Sequence, residues 1–150
     1  MKILATFDAR DYEGTTGIYE KYSIRAIIVR DGRLAMQCSR EGEYKIPGGG
    51  QEPGENYEQT LIREVKEETG LDASQAKGGY LFTYKRENPG EGDNYFVDVY
   101  RFVMDVEDKD LKLQTEETDG YMFATLDQIK AFAAEGKFLH YDSIKKAFEF

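Results

Sequence analysis

"PGGGQEPGENYEQTLIREVKEETG", residues 47–70, runs from a glycine-rich loop into an amphipathic helix and organises the chain around it. Asn56 is a good N-cap, and Gln59, three residues on, completes a capping-box pattern. The spacing predicts a helix from Tyr57 to Thr69, with Leu61, Ile62 and Val65 as its apolar stripe and Gly70 as a left-handed C-cap. Its charges run against helix electrostatics. Glu67 and Glu68 occupy the last turn, where the dipole disfavours anions, and Glu64 and Glu68 are like charges four residues apart. At about 100° per residue, Glu64, Glu67 and Glu68 share one flank that borders the apolar stripe. A divalent cation among them relieves the repulsion, because hard ions take carboxylate oxygens and magnesium completes its shell with water and phosphate. The plainer alternative is a solvated acidic face with Arg63 and Glu67 as an i,i+4 pair. The glycines have two readings as well: a backbone that approaches a ligand closely, or a tight strand-to-helix connection.

Working outward, "YSIRAIIVR" (22–30) is β-branched, and "DG" at 31–32 turns it back into "RLAMQCS" as a hairpin. "YKIP" is a short extended piece before the loop. Downstream, "GGYLFTYKRE" and "NYFVDVYRFVMDV" read as strands joined by "NPGEGD", and "GYMFATL" as a last strand. "LDQIKAFAAEG" and "HYDSIKKAFEF" are expected helices, and "KILATFD" a short first strand. Helices interspersed among strands, several joined by hairpins, predict an α/β protein with a mixed sheet and one domain over 1–150.

Composition narrows the function. The chain has 150 residues, is 40% hydrophobic and 33% charged, and is therefore expected to be globular. A net charge of −9 argues against a nucleic-acid polymer as partner, although bound divalent metal lets an acidic protein hold an anionic small molecule. The single cysteine, Cys38, rules out a disulfide within the chain and reads as a small strand hydrophobe. The opening residues lack the apolar run of a signal peptide, and no stretch reaches membrane-spanning length. The expectation is a cytoplasmic protein without a membrane partner.

Residues 49 to 71, "GGQEPGENYEQTLIREVKEETGL", resemble a complete Nudix box, G-x5-E-x7-R-E-U-x-E-E-x-G-U with U a bulky aliphatic. Gly49, Glu55, Arg63, Glu64, Val65, Glu67, Glu68, Gly70 and Leu71 fill every specified position. The resemblance implies an α/β/α sandwich around a mixed sheet. It also implies hydrolysis of a P–O–P bridge in a nucleoside diphosphate linked to another moiety, assisted by Mg2+ or Mn2+. On this reading Glu64, Glu67 and Glu68 are metal ligands with the Gly48 carbonyl as a further one. Arg63 orients Glu64 through a charge-assisted hydrogen bond. Glu55 is equally explained by dipole stabilisation at the helix start. The general base is either Glu64 or an acid from "QTEETDGYMF", where Glu117 is better spaced from Phe123 than Glu116.

Substrate recognition is less legible. Arg25, Arg40 and Gly49 are the expected substrate contacts, although either arginine serves as well as an exposed strand or hairpin charge. Core or sheet packing is the expected role of Tyr84, Tyr95 and Phe123, with base stacking as the alternative. His140, the sole histidine, is expected on a C-terminal helix surface. Several relatives carry a basic residue where this chain has Gly50, and Pro89 comes later than the proline resembling that of ADP-ribose hydrolases. The first departure weakens a triphosphate mode that relies on that basic residue, and the second an ADP-ribose reading; a nucleoside triphosphate, oxidised or otherwise non-standard, is still expected ahead of a sugar nucleotide. A non-catalytic nucleotide or metabolite sensor on the same fold is the alternative, and it predicts a damaged box. A homodimer is compatible with the resemblance.

Overall fold

The computed structural model describes residues 21–87, 94–112 and 118–148. The expected first strand at 2–8, the "NPGEGD" connection and both loop acids, Glu116 and Glu117, lie outside the described residues. Six strands, β1 (Tyr22–Arg30), β2 (Arg33–Ser39), β3 (Tyr44–Lys45), β4 (Lys77–Arg86), β5 (Tyr95–Val103) and β6 (Thr118–Ala124), form one mixed sheet. Helix α1 (Tyr57–Thr69) packs on one face through Leu61 and Val65, against Ile24, Ala26 and Ile28 of β1. Helices α2 (Leu126–Ala134) and α3 (Tyr141–Ile144) cover the other face, where Ile129 and Ile144 meet Ile27, Val29 and Leu34. Alternation along β1 therefore feeds two cores, as a strand buried on both sides requires. The α/β/α sandwich expected from the sequence is the observed architecture.

Local chemistry explains most boundaries. Asp31 and Gly32 take φ of 49° and 70°, the conformation of a two-residue hairpin turn. Asn56 and Gln59 exchange side-chain and backbone hydrogen bonds as a capping box, and Gly70 closes α1 in the left-handed region at φ 75°. The C-terminal stretch departs from the expected helix. Only 141–144 is α-helical, and Lys145–Phe148 tightens into a 3-10 turn that buries Phe148.

Register places the site. β6 runs along one edge of β2, from Leu34↔Ala124 to Ser39↔Thr118. On the other edge β1 pairs only at Val29↔Leu34 and Arg30↔Arg33, after which β3 takes over at Gln37↔Lys45 and Cys38↔Tyr44. β1 thus peels away from β2, and residues 47–51 pair with its exposed edge. Ala26 N–H donates to Pro47 O at 2.8 Å, Ile24 N–H to Gly49 O at 2.9 Å and Gln51 N–H to Tyr22 O at 3.0 Å. Parallel pairing with β5, from Tyr22↔Phe96 to Val29↔Val103, holds the opposite edge of β1. The glycine loop is consequently a quasi-strand wedged into a fork of the sheet, with α1 directly behind it.

Gly48 makes this wedge possible. Its φ is 145°, and a Cβ there would fall on the Ile24 carbonyl oxygen. Neighbouring Gly50 has only Tyr22 O near its Cβ position, at 3.9 Å. Gly48→Ala is expected to destabilise the fold by about 3 kcal/mol and Gly50→Ala by under about 0.5 kcal/mol, both read by urea denaturation. Equal midpoints for the two variants would contradict the wedge.

Candidate active site

The helix and its approach bring three acids, Glu55, Glu64 and Glu67, into hydrogen-bond contact with one guanidinium. Arg63 Nε donates to Glu55 Oε1 at 2.7 Å and Nη2 to Glu55 Oε2 at 3.0 Å, a bidentate pair. Its Nη1 donates to Glu64 Oε1 at 3.0 Å and to Glu67 Oε2 at 3.1 Å, and Nη2 also reaches Gly50 O at 3.0 Å. The orienting contact to Glu64 and the helical pair with Glu67 therefore coexist in one side chain. Glu55 does more than stabilise the helix dipole. It grips Arg63, accepts from Thr60 Oγ1 at 2.9 Å and from Glu52 N–H at 3.1 Å, and the guanidinium holds its carboxyl down at about 2.

Glu64 and Glu68 turn inward toward the loop. Burial raises the Glu64 carboxyl above its ordinary value, against the opposing pull of Arg63. Burial also pushes Glu68 up to about 7, although Gly48 N–H donates to its Oε2 at 2.7 Å and Gln37 hydrogen-bonds it. Glu64 lies so close to the loop that a Cβ on Gly49 would meet its carboxylate. Gly48 N–H is thus committed to Glu68, while its carbonyl accepts from Arg25 Nη1 at 2.9 Å. Glu67 is half exposed. Among the described residues no three acids converge on a single point as they stand, because Glu67 is held to Arg63. The donor chemistry nevertheless fits a hard divalent ion: three carboxylates and a carbonyl on two adjoining elements, two of the carboxylates shielded from water.

A cavity of about 200 Å3 opens at the fork, lined by Arg25, Gln37, Ser39, Lys45, Gly48, Glu68 and Thr118. Arg25 belongs to this cavity. Arg40 does not line it, and stands exposed with Asp119 at 3.7 Å. Phe123 takes the expected core position, 8% exposed beneath α1 with the Arg30 guanidinium 3.7 Å from its ring centre. Tyr95 is buried under Lys21 and Arg86, and half-buried Tyr84 packs in the opposite core. Cys38 is half-buried and lends its thiol to Ser39 O. His140 stands half-buried at the N-cap of α3. Burial, followed by the charges of Arg25, Arg86 and Lys45, holds it down at about 4.

Sequence reading did not single out Gln37, Tyr121 or Lys45. Gln37 is 7% exposed, donates to Tyr121 Oη at 3.2 Å and steadies Glu68. The available signal was a lone amide inside the otherwise apolar run "RLAMQCS". Lys45 carried no such signal, since its role depends on β3 taking the place of β1 beside β2.

Comparison with known proteins agrees with this arrangement. The sequence matches the NUDIX domain over residues 21–145. An uncharacterised Nudix hydrolase of Listeria innocua is 35% identical over 96 residues, 64% of this chain and 53% of that protein. The CTP pyrophosphohydrolase of Escherichia coli is 36% identical over 72 residues, 45% of this chain and 52% of that protein. The chain thus spans about half the length of these relatives. A NUDIX hydrolase from Nitrosomonas europaea has the same fold, with a TM-score of 0.65 at 24% identity over 77% of this chain and 79% of that one. Among the described residues no helix is long and apolar enough to cross a membrane. A domain match running through the loop, the acidic helix and both cores shows that the chain belongs to the Nudix family.

Proposed function

We propose that this chain is a divalent-metal-dependent pyrophosphohydrolase that cleaves a P–O–P bond in a small nucleotide-type molecule. A nucleoside triphosphate is preferred to a sugar nucleotide. The observation that carries this reading is the pairing of two inward-facing carboxylates, Glu64 and Glu68, with a cationic side chain, Arg25, across the Gly48 peptide. That arrangement suits a phosphoanhydride, whose negative charge needs partners on both sides of the bond. The relationship to a CTP pyrophosphohydrolase supports the triphosphate. An intact box argues against the sensor reading.

Mg2+, with Mn2+ as the substitute, would be held by Glu64, Glu68, the Gly48 carbonyl and Glu67 once released from Arg63. When bound, such an ion neutralises phosphate charge and lowers the pKa of a coordinated water. The chain's own residues supply the rest. Arg63, anchored by Glu55, fixes the rotamer of Glu64. Glu64 accepts the proton of the attacking water, a task suited to a carboxyl that burial has made more basic. Glu117 is the second candidate for that proton. Arg25 holds the phosphate side of the substrate against the loop.

Glu64→Gln, Glu67→Gln and Glu68→Gln are each expected to lower kcat at least 100-fold with millimolar Mg2+. The assay follows phosphate release from nucleoside triphosphates, sugar nucleotides, ADP-ribose and dinucleotides with a coupled phosphatase. Full activity in Glu67→Gln and Glu68→Gln would refute the ligand assignment. Saturable nucleotide binding without turnover would replace hydrolysis by sensing.

Glu68 adds a pH signature in the metal-free protein. Its carboxyl is raised from 4.5 to about 7 on folding, so between these pH values the folded state keeps a proton that the unfolded state has lost. This contribution is complete below pH 4.5 and is lost as pH rises through 7. Its size is on the order of 3 kcal/mol. In EDTA, the stability advantage of Glu68→Gln over the wild type should therefore grow by about 3 kcal/mol from pH 4.5 to pH 8. Mg2+ affinity of the wild type should rise over the same range. Denaturation curves showing the same difference at both pH values would contradict a buried, proton-retaining Glu68.

A further inference from the structure

The sheet face beneath α1 changes character toward the end of the helix. Ala35 and Phe123, paired across β2 and β6, belong to the apolar core under α1. Further along the same face the register pairs Gln37 with Tyr121, and both of these side chains are polar. Gln37 is 7% exposed, and its Nε2 donates to Tyr121 Oη at 3.2 Å. It lines the cavity at the fork beside Glu68 and hydrogen-bonds that carboxylate. An amide nitrogen carries two N–H groups, so one can be fixed by Tyr121 while the other serves Glu68. Gly48 N–H supplies a further donor, at 2.7 Å from Glu68 Oε2. Burying an amide costs free energy that an apolar side chain would not incur, so a polar pair at the end of an apolar face marks a task beyond packing.

We infer that Gln37, seated by Tyr121, is a positioning residue that holds the Glu68 carboxylate toward the cavity for a divalent ion. The inference rests on the hydrolase reading and deepens it. The two inward-facing acids of α1 are oriented by different chemistry. Glu64 takes its contact from Arg63, whose charge is shared with Glu55 and Glu67. Glu68 is held by a peptide N–H and an amide, with no cation in hydrogen-bond contact among the described residues. Neutral donors orient a carboxylate yet leave its full charge for an ion, whereas a Lys or Arg in place of Gln37 would compete with that ion. The anchor has its own use. A glutamine side chain loses rotamer freedom when it is fixed, and the Tyr121 hydroxyl on the neighbouring strand takes that loss during folding rather than during ion binding.

The test follows the ion itself. Mn2+ is titrated into the nucleotide-free chain, and the unbound ion is measured by its EPR signal. Gln37→Met keeps the side-chain bulk and removes both donors. It should weaken Mn2+ binding at least about tenfold, the usual cost of losing a partner behind a metal ligand. Tyr121→Phe removes only the anchor and should cost about threefold, the worth of one neutral hydrogen bond. Because Gln37 acts through Glu68, adding Gln37→Met to Glu68→Gln should change the remaining affinity by less than about twofold. In turnover of a nucleoside triphosphate at millimolar Mg2+, Gln37→Met should lower kcat about tenfold with KM within about twofold, and excess Mg2+ should restore most of the loss. Unchanged Mn2+ affinity in Gln37→Met would overturn the inference, and so would an equal loss with and without the Glu68 carboxylate. If Gln37→Met does not fold, Tyr121→Phe carries the test, and unchanged affinity there would overturn it as well. Mn2+ binding that weakens as described, in a chain whose wild type hydrolyses no nucleotide, would leave the positioning role standing and remove the hydrolase reading instead.

Discussion

The pairing of the Pro47–Gln51 backbone with the peeled edge of β1 is the constraint on which the rest of the site depends. Three hydrogen bonds of 2.8–3.0 Å seat the loop along the part of the β1 edge that β2 leaves open. From that seat Gly48 turns its N–H toward α1 and its carbonyl toward Arg25, so one residue links Glu68 to Arg25. Glycine is required because the backbone of β1 lies where a side chain would be. Neither α1 nor β1 alone brings Glu68 within reach of Arg25. The wedge does.

The acids around this seat divide into two groups by solvation. Glu55 and Glu67 are tied to Arg63 at the outer side, where the guanidinium compensates them. Glu68 has no such cation in hydrogen-bond contact. It is stabilised by a peptide N–H and by Gln37, which is insufficient to offset burial. Arg63 thus removes most of the repulsion that makes the end of α1 look ill-designed, and leaves one uncompensated carboxylate facing the cavity. The result is a site with anionic and cationic halves a few residues apart, in a protein whose overall charge is strongly negative.

Much of this was legible in the sequence because it is local. The capping box at Asn56 and Gln59, the Asp31–Gly32 turn and the Gly70 cap each depend on residues within four positions of one another, and all are found in place. The placement of Glu64, Glu67 and Glu68 on one flank follows from helical period. Phe123 and Tyr95 pack in the core, as expected of strand aromatics. His140 stands at the start of α3, but the charges around it come from strands distant in sequence. The C-terminal helix was overestimated because burial of Phe148 dictates a tighter final turn than its local pattern suggests.

The sequence by itself determined the hairpin, the limits of α1, the family and the identity of the carboxylates, since each rests on fixed spacing along a single element. Only the tertiary structure decided which of those carboxylates is exposed, which is buried, and what they face. The parallel pairing of β1 with β5 and the replacement of β1 by β3 beside β2 bring Lys45, Arg86 and His140 toward Arg25 from 20 to 115 residues away along the chain. Spacing can encode neighbours on one helix face. Charge compensation between elements depends on how the sheet forks, and no local pattern records that.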